Sequence, residues 1–81
     1  MITEIIPTNN FELFVTTDDG QSGTFDVKPY LNAEAFAPLK NPREFSRINN
    51  GKYFVSWACG ADLSIDTIRA RWTPTEQNGQ K

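Results

Sequence analysis

A chain of 81 residues, 38% hydrophobic and 22% charged with a formal charge of -2, describes one small domain whose folding buries only about 60–65% of the unfolded surface, so its core is thin. A single cysteine rules out an internal disulfide, and the absence of histidine removes the usual general base, the Ser-His-Asp and Cys-His arrangements and most zinc sites. A pI near 4.9 opposes a free-standing nucleic-acid binder, which carries a basic surplus.

No apolar run approaches the roughly 20 residues of a membrane span and no secretory h-region opens the chain, so a cytoplasmic location is expected, with no membrane contact. Six Phe, two Tyr and two Trp supply the core, each able to bury about 150–250 Å². Charge is uneven along the chain. Residues 1–34 hold six acids against Lys28, whereas residues 35–81 hold seven bases against Glu44, Asp62, Asp66 and Glu76. The simplest reading of this contrast is an ordinary solvated surface; the other is a seat for a partner.

Ile2 to Ile6 has the β-branched character of a short strand that Pro7 confines to an edge or entry position. Glu12 to Thr17 and Ser22 to Val27 flank Asp18-Asp19-Gly20 and predict a β-hairpin, with Asp19-Gly20 supplying positive φ angles and Asp18 starting the turn. Pro29 ends the second strand. Ala33 to Leu39 has helix-like spacing with Asn32 placed as its cap, and Pro38 keeps it short. Asn41 as N-cap, Pro42 in the first turn, and Phe45 and Ile48 three apart predict a second helical turn.

Asn49-Asn50-Gly51 signals a turn into a strand over Lys52 to Trp57, with Tyr53, Val55 and Trp57 on one side and Phe54 and Ser56 on the other. Gly60 is read as the joint between this strand and a C-terminal helix. Ser64 caps the helix, Asp66 complements its positive end, Leu63 and Ile68 form a staple, and Ile65, Ile68 and Trp72 form the buried stripe. Residues 73–81 read as a disordered tail, which leaves 1–72 as a single α+β domain: a small antiparallel sheet packed on short helices.

Cys59-Gly60-Ala61-Asp62 before a helix start invites a thiolate reading. Without a His or Lys beside it, Cys59 reads better as a small hydrophobe. Asp62 reads as a carboxylate holding the turn amides beyond Gly60, in preference to a ligand group. The structural residues expected from the sequence are thus Gly60, Asp62, Ser64, Asp19 and Gly20. No phosphate-cradling glycine loop exists, and no catalytic residue, cofactor or metal is expected. Arg69, Arg71 and Trp72, with Arg43 and Arg47, are the candidate interaction surface. Two arginines near a helix C-terminus also follow from the dipole alone, and a basic patch with aromatic interleaving would suit nucleic acid.

Leu13-Phe14-Val15, Asp19-Gly20, Phe25-Asp26-Val27, Tyr30-Leu31, Leu39, Pro42 to Phe45, Val55-Ser56-Trp57 and Gly60-Ala61-Asp62-Leu63, in this order and spacing, resemble the bacterial domain of unknown function 2442 over residues 1 to about 70. Cys59 stands where the family usually has Asn, and Ser64-Ile65 where it often has Asp-Pro. The resemblance implies a small cytoplasmic α+β domain without assigned activity, sometimes fused to a helix-turn-helix domain and often encoded beside another small protein in the manner of a toxin-antitoxin pair. This chain resembles the stand-alone form. The expectation is therefore a non-enzymatic protein-interaction module, antitoxin-like or binding the product of a neighbouring gene, with a protein partner or a second copy in a homodimer. The alternative is a nucleic-acid-binding regulator.

Overall fold

The computed structural model describes residues 1–75. Two antiparallel sheets enclose the core with a helical segment between them in sequence. The first sheet holds β1 (Ile2–Pro7), β2 (Glu12–Thr17), β3 (Ser22–Asp26) and β7 (Thr73–Pro74) in the order β1-β2-β3-β7. The second holds β4 (Ile48–Asn50), β5 (Phe54–Trp57) and β6 (Asp62–Ser64), with β5 in the centre. Helices α1 (Pro42–Ser46) and α2 (Ile65–Arg71) complete the α+β fold.

The expected hairpin forms in register, with Leu13 opposite Phe25 and Val15 opposite Gly23. Its turn is a type I turn closed by a glycine bulge. Gly20 N–H donates to the Thr17 carbonyl at 3.1 Å and Thr17 N–H to that of Gln21 at 2.9 Å. Only Gly20 takes a positive φ, +86°, so Asp19 contributes through its side chain and not, as the sequence suggested, through its backbone angle.

A second turn repeats this plan. Gly60 N–H donates to the Trp57 carbonyl at 3.0 Å, Trp57 N–H donates to that of Ala61 at 3.0 Å, and Gly60 sits at φ +98°. The Gly60 step is therefore a hairpin turn into β6 and not a direct joint to the helix. The helix begins three residues later than Asp62, where Ser64 caps it as expected: its hydroxyl accepts from Thr67 N–H at 3.1 Å. Ile68 is fully buried and Leu63 nearly so.

The middle segment differs in detail from its periodicity. Two 3₁₀ helices, Lys28–Asn32 and Glu34–Lys40, form where short helical turns are expected. Asn32 ends the first instead of capping the second, whose cap residue is Ala33. Pro29 and Pro38 each remove a backbone donor, which keeps the segment in short pieces. Asn41 does cap α1, its side chain accepting from Arg43 N–H at 3.0 Å.

The Asn49-Asn50-Gly51 turn falls later than its residues suggest, because Asn49 and Asn50 belong to β4 and β5 opens at Phe54. Lys52 carries the positive φ, +75°, steadied by its N–H donating to the Asn50 side chain at 2.7 Å. Gly51 instead makes room: a Cβ there would meet the Phe54 ring. Tyr53 lies outside the strand and is 65% exposed. The same corner ties the two sheets together. Ile2 N–H donates to the Lys52 carbonyl at 2.6 Å, and Asn50 Nδ2 donates to the Ile2 carbonyl at 3.0 Å.

Six rings run through the core as one chain. Phe25 meets Tyr30 with centroids 5.6 Å apart, Tyr30 meets Phe36 at 5.5 Å, Phe36 meets Trp57 at 6.2 Å, Trp57 stacks on Phe45 at 6.0 Å, and Phe45 meets Phe11 at 5.2 Å. Trp57 Nε1–H donates to the buried Phe45 carbonyl at 2.8 Å. Phe11 reaches this position at φ +59°, with its carbonyl accepting from Val27 N–H at 2.9 Å.

The chain does not become a tail at residue 73. Thr73 pairs with Thr24 and Pro74 with Gly23, and Thr75 N–H donates to the Ser22 carbonyl at 2.9 Å. Residues 76–81 of the expected tail lie outside the described residues. Trp72 reaches β3 because Gly23 lacks a side chain, a Cβ there coming within 2.6 Å of the indole.

Two substitutions test this packing. Trp57→Phe leaves the Phe45 carbonyl without its donor and is expected to cost about 1–3 kcal/mol in urea unfolding. Gly23→Ala drives a methyl into the Trp72 ring and is expected to cost roughly 1–3 kcal/mol, with near-wild-type stability as the contrary result.

Candidate functional site

Strand alternation sorts the first sheet into two faces. Leu13, Val15 and Thr17 of β2 and Gly23 and Phe25 of β3 point inward and are buried. Glu12, Phe14, Thr16, Ser22, Thr24 and Asp26 therefore point outward. On β1 an irregularity between Ile2 and Glu4 resets the pairing so that Glu4 lies opposite Thr16 and Ile6 opposite Phe14. Ile6 thus stands on the outer face, 46% exposed.

The pairings arrange this face in rows. The middle row is Ile6, Phe14, Thr24 and Thr73 across the four strands. One neighbouring row is Glu4, Thr16 and Ser22; on the other side Glu12 faces Asp26. An isoleucine and a half-buried phenylalanine are flanked by carboxylates along both strand directions. Directly opposed carboxylates on neighbouring strands repel. Lys28 moderates the Glu12 and Asp26 pair, with Nζ 3.7 Å from Glu12 and 3.2 Å from Asp26, and it also donates to the Asn10 carbonyl at 3.0 Å.

The interaction residues expected from the sequence are dispersed. Arg69, though exposed, is paired within the chain, its Nη2 3.0 Å from Asp19 Oδ2. Asp19 also accepts from Thr17 Oγ1 and from Gln21 N–H at 3.2 Å, so it binds the hairpin turn to α2. Arg71 lines an open cleft of about 380 Å³ with Phe25, Asp26, Pro29 and Tyr30. Trp72 is half-buried above Gly23. Arg43 on α1 and Arg47 just after it are exposed, at the end of the hairpin marked by Phe11 and Phe45. Asp19 and Arg69 mark the opposite end, roughly 20 Å away along a six-residue strand. The five residues form no single patch.

Asp62 is also not where it was expected. It is an exposed residue of β6 opposite Ser56, and no side-chain hydrogen bond ties it to the turn among the described residues. Cys59 is exposed at the turn, with Sγ 4.0 Å from the Ala35 carbonyl. Among the described residues no three His, Cys, Asp or Glu side chains gather as metal ligands, and no helix is long and apolar enough to cross a membrane.

The outer-face residues were missed in the sequence, although two signals mark them. Ile5-Ile6 places isoleucines on both sides of one strand, and Phe14 falls on the parity of Glu12 and Thr16.

The fold defines a small α+β domain of two antiparallel sheets and short helices. A family model described as "Protein of unknown function (DUF2442)" matches residues 2–74. The chain belongs to that family. The match, like β7, carries the domain past Trp72. No curated protein and no solved structure matches the chain.

The hairpin tip has a pH signature. The hydrogen bond from the N-terminal ammonium, 2.6 Å away, holds the Asp18 carboxyl below its ordinary value, aided by the charge attraction. The Thr17 hydroxyl, the Gln21 amide and the Arg69 charge do the same for Asp19. A depressed folded-state value stabilises above the unfolded carboxylate pKa of about 3.9 and is lost as pH falls through the lower folded value. Urea midpoints should therefore fall as pH drops below about 4. Asp19→Asn is expected to lower the midpoint at pH 7 and flatten that acid limb, whereas Asp62→Asn, which removes no hydrogen bond found among the described residues, leaves the pH 7 midpoint unchanged.

Proposed function

We propose that the protein is a non-enzymatic protein-interaction module that holds its partner on the outer face of the four-stranded sheet. The observation that carries this reading is the contiguous pair of Ile6, 46% exposed, and Phe14 on a face that bears neither helix. An outward Ile and Phe on neighbouring strands contribute nothing to the core, and contiguous exposed apolar surface on a small domain is a mark of association. β1 is also an edge strand of its sheet, a position at which a docked segment can add a strand.

The nucleic-acid alternative has less support. It needs convergent cations, and Arg69 is paired with Asp19 while Arg43 and Arg47 sit at the far end of the hairpin. An operon-partner or antitoxin-like role, as the resemblance implies, is one form of the interaction reading. A homodimer through this face is disfavoured by its carboxylates.

Affinity capture from native lysate with three forms of the chain tests the reading: wild type, Ile6→Ser/Phe14→Ser, and a Tyr53→Ser control on an exposed aromatic away from the face. The expected outcome is a stoichiometric protein retained by wild type and the control and lost from the double variant at an unchanged unfolding midpoint. Retention by all three forms would move the site elsewhere.

A further inference from the structure

We infer that the partner docks on this face through a segment carrying an apolar side chain between two basic ones, the basic groups about 14 Å apart. The inference rests on the interaction reading and specifies the chemistry of the partner.

The argument is the row geometry. Ile6 and Phe14 share the middle row. Glu4 stands two residues before Ile6 on β1, and Glu12 two residues before Phe14 on β2. Because the strands are antiparallel, these glutamates fall on opposite sides of the apolar pair. Asp26, opposite Glu12, adds a third carboxylate on that side. One step of two residues along a strand is about 7 Å, so the two acidic rows lie about 14 Å apart with the apolar pair midway. An extended segment with basic residues at i and i+4 and an apolar residue at i+2 matches this spacing.

The charge of the face selects the occupant. Among the described residues Lys28 is the one ammonium paired on it, and it is engaged by Glu12, Asp26 and the Asn10 carbonyl. Arg71 lines the cleft beside Asp26 but forms no ion pair with it among the described residues. Glu4 has no ion-pair partner among the described residues. A second copy docked face to face would set this patch against itself, since a two-fold interface is isologous, and would oppose carboxylate to carboxylate. A basic partner gains from the same groups, and charge complementarity of this kind sets specificity and association rate.

Two synthetic peptides test it, one repeating Arg-Ser-Leu-Ser and one repeating Glu-Ser-Leu-Ser, so that each extended chain sets its charges at i and i+4 with Leu at i+2 on one face, titrated by fluorescence anisotropy with amide shifts followed by NMR. The expected result is binding of the Arg peptide at least about tenfold tighter than the Glu peptide, weakened by salt and by Glu4→Gln/Glu12→Gln, with shifts confined to β1, β2 and β3. Equal binding of both peptides, or shifts centred on β5 or α2, would overturn the proposal. If neither peptide binds while Ile6→Ser/Phe14→Ser still releases the captured protein, the basic chemistry is overturned and the docking face stands. If the Arg peptide shifts the sheet but capture is indifferent to the double variant, the assignment of the physiological partner to this face is overturned.

Discussion

The hydrogen bond from the Trp57 indole to the Phe45 carbonyl is the constraint on which the aromatic core depends. Phe45 comes from a five-residue helix that could not persist alone, and Trp57 from the centre of a three-stranded sheet. Their stacking and the buried donor hold α1 against β5, and the rings continue to Phe25 on one side and Phe11 on the other. A thin core cannot rely on buried area alone. Here it is organised as a line of aromatic contacts that crosses from one sheet to the other, with the helical segment supplying the intermediate rings.

The hairpin over Glu12 to Asp26, the edge strand, the Asn41 and Ser64 caps and the α+β class were legible because each has a local cause: a glycine that takes a positive φ, a proline, or a side chain that accepts an orphan amide. What was not legible depends on pairing. The turn at Gly60 uses the same plan as that at Gly20, but Cys59-Gly60 lacks the Asp-Gly signature and the strand after it is three residues long. From sequence, Asp62 therefore reads as a turn carboxylate, whereas it is an exposed strand residue. The middle segment reads as short helical turns and forms short 3₁₀ helices; its apolar spacing suits either helix type, and only the lost proline donors decide between them.

The candidate site was hidden for a related reason. Arg69, Arg71, Trp72, Arg43 and Arg47 are conspicuous as residue types, and the fold separates them. Glu4, Ile6, Glu12, Phe14 and Asp26 are inconspicuous one by one and converge through strand register, which no local pattern reports. The bulge between Ile2 and Glu4 matters most. Without that reset Ile6 would share the parity of the buried Ile2, and the outer face would lose its apolar centre. The charge contrast between the two halves of the chain also gains a location, since three of the six N-terminal acids stand on one side of one sheet.

The approach of Trp72 to Gly23 has an evolutionary consequence. The two positions are 49 residues apart in the chain yet share one volume, so neither can drift alone. In relatives that keep an aromatic residue at the end of α2, the facing position of β3 should remain glycine. Where that glycine is replaced, the aromatic should shrink in the same lineage. This pair would then appear as a covarying signal linking the hairpin to the strand that closes the sheet.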